Sequence, residues 1–96
     1  LRGDGHFLLK VRGDSMKGAG IHHKDLVLVK KEEKADGGEI VAAYLNGEAA
    51  VKRYQTKKGK ITLQPENSAY APILITPEKY PDFRILGKVK AVIRIF

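Results

Sequence analysis

The fold of this chain is decided by the stretch IVAAYLNGEAAVKRY, residues 40–54. An Asn-Gly pair between two apolar runs is the strongest short-range signal for a two-residue β-hairpin, because both residues tolerate a positive φ. The stretch therefore predicts two antiparallel strands that are joined at Asn46-Gly47. Lys52 lies on the second strand, among small and apolar residues.

Shorter apolar runs on both sides of this hairpin predict further strands. A second hairpin is expected to turn at Lys58-Gly59, and other strands are expected at residues 7–11, 26–29, 60–64, 73–75, 83–86 and 88–96. The run at 26–29 is continuously apolar, which predicts burial on both faces. Residues 16–21 are too rich in glycine for more than one helical turn. We therefore expect residues 1–96 to form a mostly β, single compact domain of coiled or barrel-like antiparallel sheets with hairpins and little helix.

Length, composition and charge limit the functional classes. Ninety-six residues, 43% apolar and 30% charged, are typical of one globular domain with one core. The absence of cysteine excludes a disulfide framework and fits a reducing, cytoplasmic setting. No apolar run approaches the 18 or so residues that span a bilayer, so we expect no membrane association. The net charge of +7 permits nucleic-acid binding, but the lysines are scattered and no aromatic residues are interleaved to stack bases.

Two polar stretches predict no site. His22 and His23 are adjacent, so on a strand they would point to opposite faces and would not close on one metal ion. We expect two surface histidines in a turn, and neither a metal nor a cofactor. The polar, glycine-rich residues 1–6 indicate a lead-in before the first strand.

Ser15 and Lys52 are the residues that could carry chemistry. Ser15 lies in the turn Gly13-Asp14-Ser15, where glycine allows a sharp bend that exposes the hydroxyl. Lys52 lies on an apolar strand, where burial favours the neutral amine that can act as a general base. Each residue alone more often has an ordinary role, the serine in a turn and the lysine with its charge at the surface. Together they indicate a Ser-Lys nucleophilic pair, with the backbone N–H groups of Asp14 and Ser15 as the expected oxyanion hole.

Seven motifs follow one another along the chain: VRGDSM (11–16), GI (20–21), DL (25–26), AVKR (50–53), LQPENSAYAPI (63–73), ILGKV (85–89) and VIR (92–94). In this order they resemble the C-terminal domain of the LexA repressor family of self-cleaving proteins. The match covers nearly the whole chain from Phe7 onward. It implies that Ser15 is the nucleophile and Lys52 the general base in hydrolysis of an Ala-Gly bond within the protein's own interdomain segment.

The same resemblance implies partners and a biological setting. RecA bound to single-stranded DNA would stimulate the cleavage, which inactivates the repressor during the SOS response to DNA damage. A homodimer would form through the last strand, around residues 89–95. DNA would be bound only through an N-terminal domain. That domain and the cleavable segment would precede Phe7, so we expect the sequence to represent the catalytic and dimerisation domain without them.

One position departs from the usual residue of the family, and one dipeptide only imitates its cleavage site. The family usually has a threonine where this chain has Ala50, on the same strand face as Lys52, and the hydroxyl would help to hold the lysine. Ala19-Gly20 spells the cleavable dipeptide but lies four residues after Ser15, in the turn itself, so we predict that it is structural. Two alternative functions remain open. One is a non-catalytic dimerisation domain, as in phage-type repressors or polymerase accessory proteins of this fold, and the other is a small basic β-barrel that binds nucleic acid.

Overall fold

The computed structural model describes residues 5–96, which form one sheet of seven antiparallel strands. In chain order the strands are β1 (His6–Lys10), β2 (Leu26–Lys31), β3 (Ile40–Leu45), β4 (Glu48–Lys57), β5 (Lys60–Gln64), β6 (Ile73–Ile75) and β7 (Arg84–Ile93). Across the sheet their order is β1-β2-β7-β3-β4-β5-β6. Helix within the described part of the chain is one 3-10 turn, Lys17–Ala19. The predicted mostly β fold with little helix is confirmed.

Both predicted hairpins are present. Asn46 and Gly47 have φ values of 51° and 76°, the positive values of a type I′ turn. The turn is also tied to the segment before β7, because the Asp82 carboxylate accepts hydrogen bonds from both backbone N–H groups at 3.0 Å. β4 is the shared arm of the two hairpins: residues 48–53 pair with β3 and residues 53–57 pair with β5. Lys52 therefore lies in the interior of the sheet.

β7 crosses the sheet between β2 and β3, and its pairing is irregular on both sides. The ladder with β2 skips Lys90, and the ladder with β3 skips Leu86. Extra residues of this kind bend a strand and increase its twist. The sequence predicts either one or two strands in this region, and the structure has one long, bent strand.

Apolar cores lie on both faces of β3. Its residues Val41, Ala42 and Ala43 are all fully buried. Because side chains alternate along a strand, Ala42 faces one core and its two neighbours face the other. The first core contains Val11, Met16, Ile21, Val27, Val29, Ala42 and Val51. The second contains Val41, Ala43, Leu45, Tyr54, Leu63 and Ile85.

One burial prediction is wrong. Within the apolar run of β2, Val27 and Val29 are fully buried, but Leu26 and Leu28 are only half-buried. The face of the sheet that carries Leu28 is open here, since its paired residues Leu8 and Ala91 are exposed. A continuous apolar run does not by itself reveal whether both faces of its strand are covered.

β1 begins at His6, so the last residue of the predicted lead-in belongs to the sheet. The rest of that lead-in, apart from Gly5, lies outside the described residues. None of the helical structure in residues 5–96 is long and apolar enough to cross a bilayer.

An ion pair between the buried Asp25 and the exposed Arg94 ties the C-terminal end to the loop before β2. Asp25 is only 3% exposed. Its carboxylate accepts hydrogen bonds from Arg94 Nε at 2.8 Å and Arg94 Nη2 at 2.7 Å, and from the His22 backbone N–H at 2.7 Å. The Arg94 bonds and then the His22 bond lower the pKa of Asp25 from 3.8 to about 2. Arg94 Nη2 also donates to the carbonyl of Gly20 at 3.1 Å.

Replacing Arg94 by Gln should destabilise the fold at neutral pH, because the Asp25 carboxylate is then buried without its cation. Since the pKa of Asp25 is lowered in the folded chain, the stabilisation is present above pH 4 and is lost as the pH falls toward 2. Urea unfolding should give a lower midpoint for R94Q at pH 7 and a smaller difference at pH 3. The exposed Arg12, changed to Gln, serves as the control. Equal midpoints at pH 7 would contradict the assignment.

Candidate active site

Ser15 lies in the loop between β1 and β2, in the turn predicted from the sequence. The next residue, Met16, is 1% exposed and packs into the first core, which anchors the loop. The Lys17 N–H donates to the Asp14 carbonyl at 3.1 Å and closes the turn. Ser15 itself is half-buried, between the buried Met16 and the exposed Asp14. The predicted structural role of Gly20 agrees with its position in the same loop, where its carbonyl accepts from Arg94.

The loop between β5 and β6 holds the Ser15 loop through main-chain atoms. The Glu66 N–H donates to the Ser15 carbonyl at 2.7 Å, and the Gly18 N–H donates to the Glu66 carbonyl at 2.7 Å. The Asn67 side chain donates to the Asp14 carbonyl at 2.9 Å. A Cβ at position 18 would lie 2.5 Å from the Glu66 oxygen, so this close approach requires glycine. Both loops carry sequence motifs, but nothing in those motifs predicts that the two loops are bonded to each other.

Arg53 connects this second loop to the strand that carries Lys52. Its Nε and Nη2 donate to Glu66 Oε1 at 3.3 and 3.2 Å, and its Nη1 donates to the Gly38 carbonyl at 2.6 Å. Arg53 directly follows Lys52 on β4. The strand that presents the amine therefore also holds the loop that holds Ser15. This role was missed, because an arginine and a glutamate 13 residues apart carry no local signal of pairing.

The side chains of Lys52 and Ser15 meet although they are 37 residues apart. Nζ lies 3.0 Å from Ser15 Oγ, within hydrogen-bond reach. The second contact of Nζ is the carbonyl oxygen of Val51, at 3.3 Å. Ala50 has no hydroxyl to offer, so this main-chain carbonyl supplies the neighbouring acceptor. The geometry brings the two predicted residues together, and their catalytic roles stay a prediction.

The surroundings of Lys52 favour its neutral form. Burial lowers the pKa of Lys52 below its ordinary value, because desolvation penalises the ammonium. Within residues 5–96 neither contact of Nζ is a carboxylate, so no negative charge there offsets this effect. A charged Nζ donates to Ser15 Oγ. Once the amine is neutral, its lone pair can accept the hydroxyl proton across the same 3.0 Å contact.

An open groove of about 690 Å³ runs over the Ser15–Lys52 pair. One wall is the segment from Leu9 to Ser15, and the other is the first half of β4. Tyr70, Ala71 and Ile73 also line the groove. Ala49 and Ala50 contribute only methyl groups, which leaves room beside the pair.

The two histidines occupy a turn before β2 and do not converge on a metal ion. His23 is exposed, and its Nδ1 accepts a hydrogen bond from the Gly13 N–H at 2.8 Å. His22 is engaged through its backbone N–H, which donates to Asp25. No group of three His, Asp or Glu residues in the described part of the chain could hold a metal. The contact of His23 with the Ser15 loop was not predicted, because it depends on tertiary placement.

Replacing Lys52 by Met should stabilise the fold at pH 7, because it removes the cost of burying an ammonium. The pKa of Lys52 is lowered in the folded chain, so the stability of the wild type rises with pH between that pKa and the ordinary value of about 10.4. The gain of K52M over the wild type should therefore shrink as the pH approaches 10. Urea midpoints at pH 7 and 10 measure this gain, with the exposed Lys57, on the same strand, changed to Met as the control. A destabilised K52M protein would contradict the assignment.

Comparison with known proteins adds independent information. The sequence profile of the family described as Peptidase S24-like matches residues 1–90. The LexA repressor of Geotalea uraniireducens is 46% identical over 94 residues, which are 98% of this chain and 46% of the relative. The LexA repressor of Frankia casuarinae is 52% identical over 88 residues, which are 92% of this chain and 32% of the relative.

A third relative agrees with these two. The LexA repressor of Caldicellulosiruptor saccharolyticus is 47% identical over 88 residues, which are 92% of this chain and 41% of the relative. The chain thus spans less than half the length of each of these three relatives. The resemblance to the LexA repressor family that was drawn from the motifs is confirmed. With a family profile that matches nearly its full length, this chain belongs to the Peptidase S24-like family.

Proposed function

We propose that this chain is the C-terminal domain of a cytoplasmic LexA-like repressor and that it is a self-cleaving serine endopeptidase. Its substrate is an Ala-Gly bond in the interdomain segment of its own full-length protein. The observation that carries the proposal is the 3.0 Å contact between Ser15 Oγ and the partly buried amine of Lys52. Relatives named LexA repressors, about twice the length of this chain or longer, support it.

In the proposed reaction Lys52 acts as the general base. Its neutral amine takes the hydroxyl proton, and Ser15 Oγ attacks the scissile carbonyl carbon to form a tetrahedral intermediate. The ammonium then gives its proton to the leaving amine, and the C–N bond breaks. A water molecule, deprotonated by the same amine, attacks the acyl-serine ester. The carboxylic acid product leaves and Ser15 recovers its proton.

The negative charge of the tetrahedral oxygen is stabilised by the turn that carries Ser15. Among the described residues, nothing accepts a hydrogen bond from the N–H of Asp14 or Ser15. Both N–H groups are therefore available to an incoming carbonyl oxygen. The Asp14 carbonyl accepts a hydrogen bond from the Asn67 side chain, and the Ser15 carbonyl accepts one from the Glu66 N–H. These two bonds fix the orientation of the turn.

Substrate binding completes the burial of the amine. A lysine with an ordinary pKa of about 10.4 is almost entirely protonated at pH 7, and each unit of lowering raises the neutral fraction about tenfold. A peptide segment in the groove covers Lys52 and excludes the remaining water. Desolvation of the amine, which already lowers its pKa, thereby increases when the substrate docks. Cleavage is thus coupled to docking of the segment.

The proposal includes the partners of the repressor. A RecA filament on single-stranded DNA stimulates cleavage, and the SOS response to DNA damage follows from loss of the repressor. DNA is bound by the part of the full-length protein outside this chain. The alternative, a non-catalytic dimerisation domain of the same fold, does not account for a partly buried lysine amine with a lowered pKa in contact with a serine hydroxyl.

The homodimer is proposed to form through the end of β7. On the side away from β2, β7 pairs with β3 only as far as Lys88. Among the described strands, residues 89–93 thus present an unpaired edge on that side. Apolar side chains lie exposed on it, with Val92 at 40% and Ile93 at 39%, and Ile95, two residues beyond the strand, is 80% exposed. An edge of this kind is suited to antiparallel pairing with a second copy.

Changing Ser15 or Lys52 to Ala should abolish the reactivity of the serine. Intact mass after incubation with a fluorophosphonate, and cleavage of a peptide that carries an Ala-Gly bond, measure this at pH 8 to 10. The wild-type rate should rise about tenfold per pH unit until the pKa of Lys52 is passed, because only the neutral amine is a base. Ser68→Ala and Lys57→Ala, both exposed positions, are the controls. Labelling that survives S15A, or a rate that is flat from pH 6 to 10, would refute the proposal.

Changing Ile95 to Glu should weaken the dimer, because a charge would be buried against the partner strand. Sedimentation velocity over a range of protein concentrations should show a dimer for the wild type and a shift toward monomer for I95E. Leu74→Glu, an exposed leucine on the edge strand β6, is the control. A wild-type chain that sediments only as a monomer, or an I95E dimer as stable as the wild type, would exclude this interface.

A further inference from the structure

We propose that His23 is a positioning residue of the Ser15 loop, and that protonation of its ring releases the loop and lowers the activity. The inference rests on the proposed peptidase function and adds to it a second, independent dependence on pH. The observation behind it is the hydrogen bond from the Gly13 N–H to His23 Nδ1, at 2.8 Å. Gly13 lies two residues before Ser15.

Two main-chain bonds bring the histidine to this position. The Val11 N–H donates to the Asp25 carbonyl at 2.8 Å, and the Lys24 N–H donates to the Val11 carbonyl at 2.8 Å. These bonds align the end of β1 with the turn before β2, and they set His23 beside Gly13. The backbone at Gly13 has a φ of 81° and therefore turns directly after this contact. The histidine ring is thus the last group that fixes the chain before the turn to Ser15.

The contact requires one protonation state of the ring. Nδ1 accepts a hydrogen bond only when it carries no proton, which leaves the proton of the neutral ring on Nε2. An imidazolium carries a proton on both nitrogens. Its Nδ1–H would then point at the Gly13 N–H, so two donors would face each other. Protonation therefore replaces a bond by a repulsive contact.

The charged groups around the ring are mostly cationic. His23 shares a cavity with Lys10, His22 and Lys24, and with Arg94 and Asp25. The Asp25 carboxylate is already engaged by Arg94. Arg12 and Asp14, the residues on either side of Gly13, add one charge of each sign. A positive ring would therefore join a cluster of positive charges.

His23 acts through the loop and not on the reacting atoms. The bond of its ring is to the Gly13 N–H, whereas the Ser15 hydroxyl is bonded to Lys52. Loss of the contact lets the turn shift, which moves Oγ relative to Nζ and the Asp14 and Ser15 N–H groups. The loop between β5 and β6 still holds the other side of the turn. The expected effect is a reduction of the rate, about three- to tenfold, and not its abolition.

Substitution by Asn separates the hydrogen bond from the titration. The side-chain oxygen of Asn can take the place of Nδ1 as an acceptor but gains no proton between pH 5 and 8. His23→Asn should keep most of the activity, and His23→Ala should lose about three- to tenfold at pH 8. His22→Asn is the matched control, since His22 is engaged through its backbone N–H. The rate is measured as fluorophosphonate labelling of Ser15.

The pH–rate profile distinguishes the proposed role from a merely structural one, because a merely structural role of His23 would not change its slope. The wild type should lose about tenfold per pH unit near pH 8, from the lysine alone. At lower pH, once the ring of His23 also gains a proton, the wild type should lose a further three- to tenfold in total beyond this single slope. H23N should keep the single slope throughout, and H22N should match the wild type. Identical slopes for the wild type and H23N would overturn the proposal.

An NMR titration tests the contact without any reaction. In a Ser15→Ala background the amide resonance of Gly13 should shift between pH 5 and 8 with the ring of His23, and the shift should vanish in the H23N double variant. A Gly13 amide that does not follow the ring overturns the proposal even if Ser15 is reactive. If the amide titrates but the wild type is never labelled, the loop contact stands and the proposed peptidase function fails.

Discussion

A partly desolvated lysine amine, set against a serine hydroxyl and in contact with no carboxylate among residues 5–96, is the constraint around which this structure is arranged. Burial lowers the pKa of Lys52, and a contact of 3.0 Å joins Nζ to Ser15 Oγ. The fold is less stable for carrying this amine, because the chain must strip water from a group that prefers to be charged. Such a cost is typical of sites kept for chemistry, where a local rule is broken and the rest of the fold compensates.

The compensation comes from one continuous sheet that builds both sides of the site. β4 is shared by two hairpins, which hold Lys52 firmly in the interior of the sheet. Arg53, the next residue, binds Glu66, and Glu66 binds the main chain of Ser15. Lys52 and Ser15 are therefore connected through two short links as well as through their own contact. A displacement of one loop would be transmitted to both side chains, so the pair is held as a unit.

Sequence reasoning succeeded where the signals are local or form an ordered motif. The Asn46-Gly47 turn has the positive φ values that its residue types predict, and the ordered motifs singled out Ser15 and Lys52, which the fold brings together. It failed where the outcome depends on tertiary neighbours. The apolar run of β2 is covered on one face only, and His23 meets Gly13 because two distant main-chain bonds align their segments. A contact between two residues that lie far apart in the sequence changes neither the spacing of motifs nor the hydrophobic periodicity, so neither pattern predicts it.

The bonds between the two loops at the site use main-chain atoms almost throughout. Glu66 and Ser15, and Gly18 and Glu66, are joined through N–H and carbonyl groups, which every residue except proline possesses. Two positions do require a particular residue: Gly18, because a Cβ there would clash with the Glu66 carbonyl, and Asn67, whose side-chain amide donates to the Asp14 carbonyl. Most residues in both loops can therefore be substituted during evolution while the main-chain hydrogen bonds between the loops are kept. Distant kin of this domain should be easier to find by matching the pattern of backbone bonds than by aligning residues.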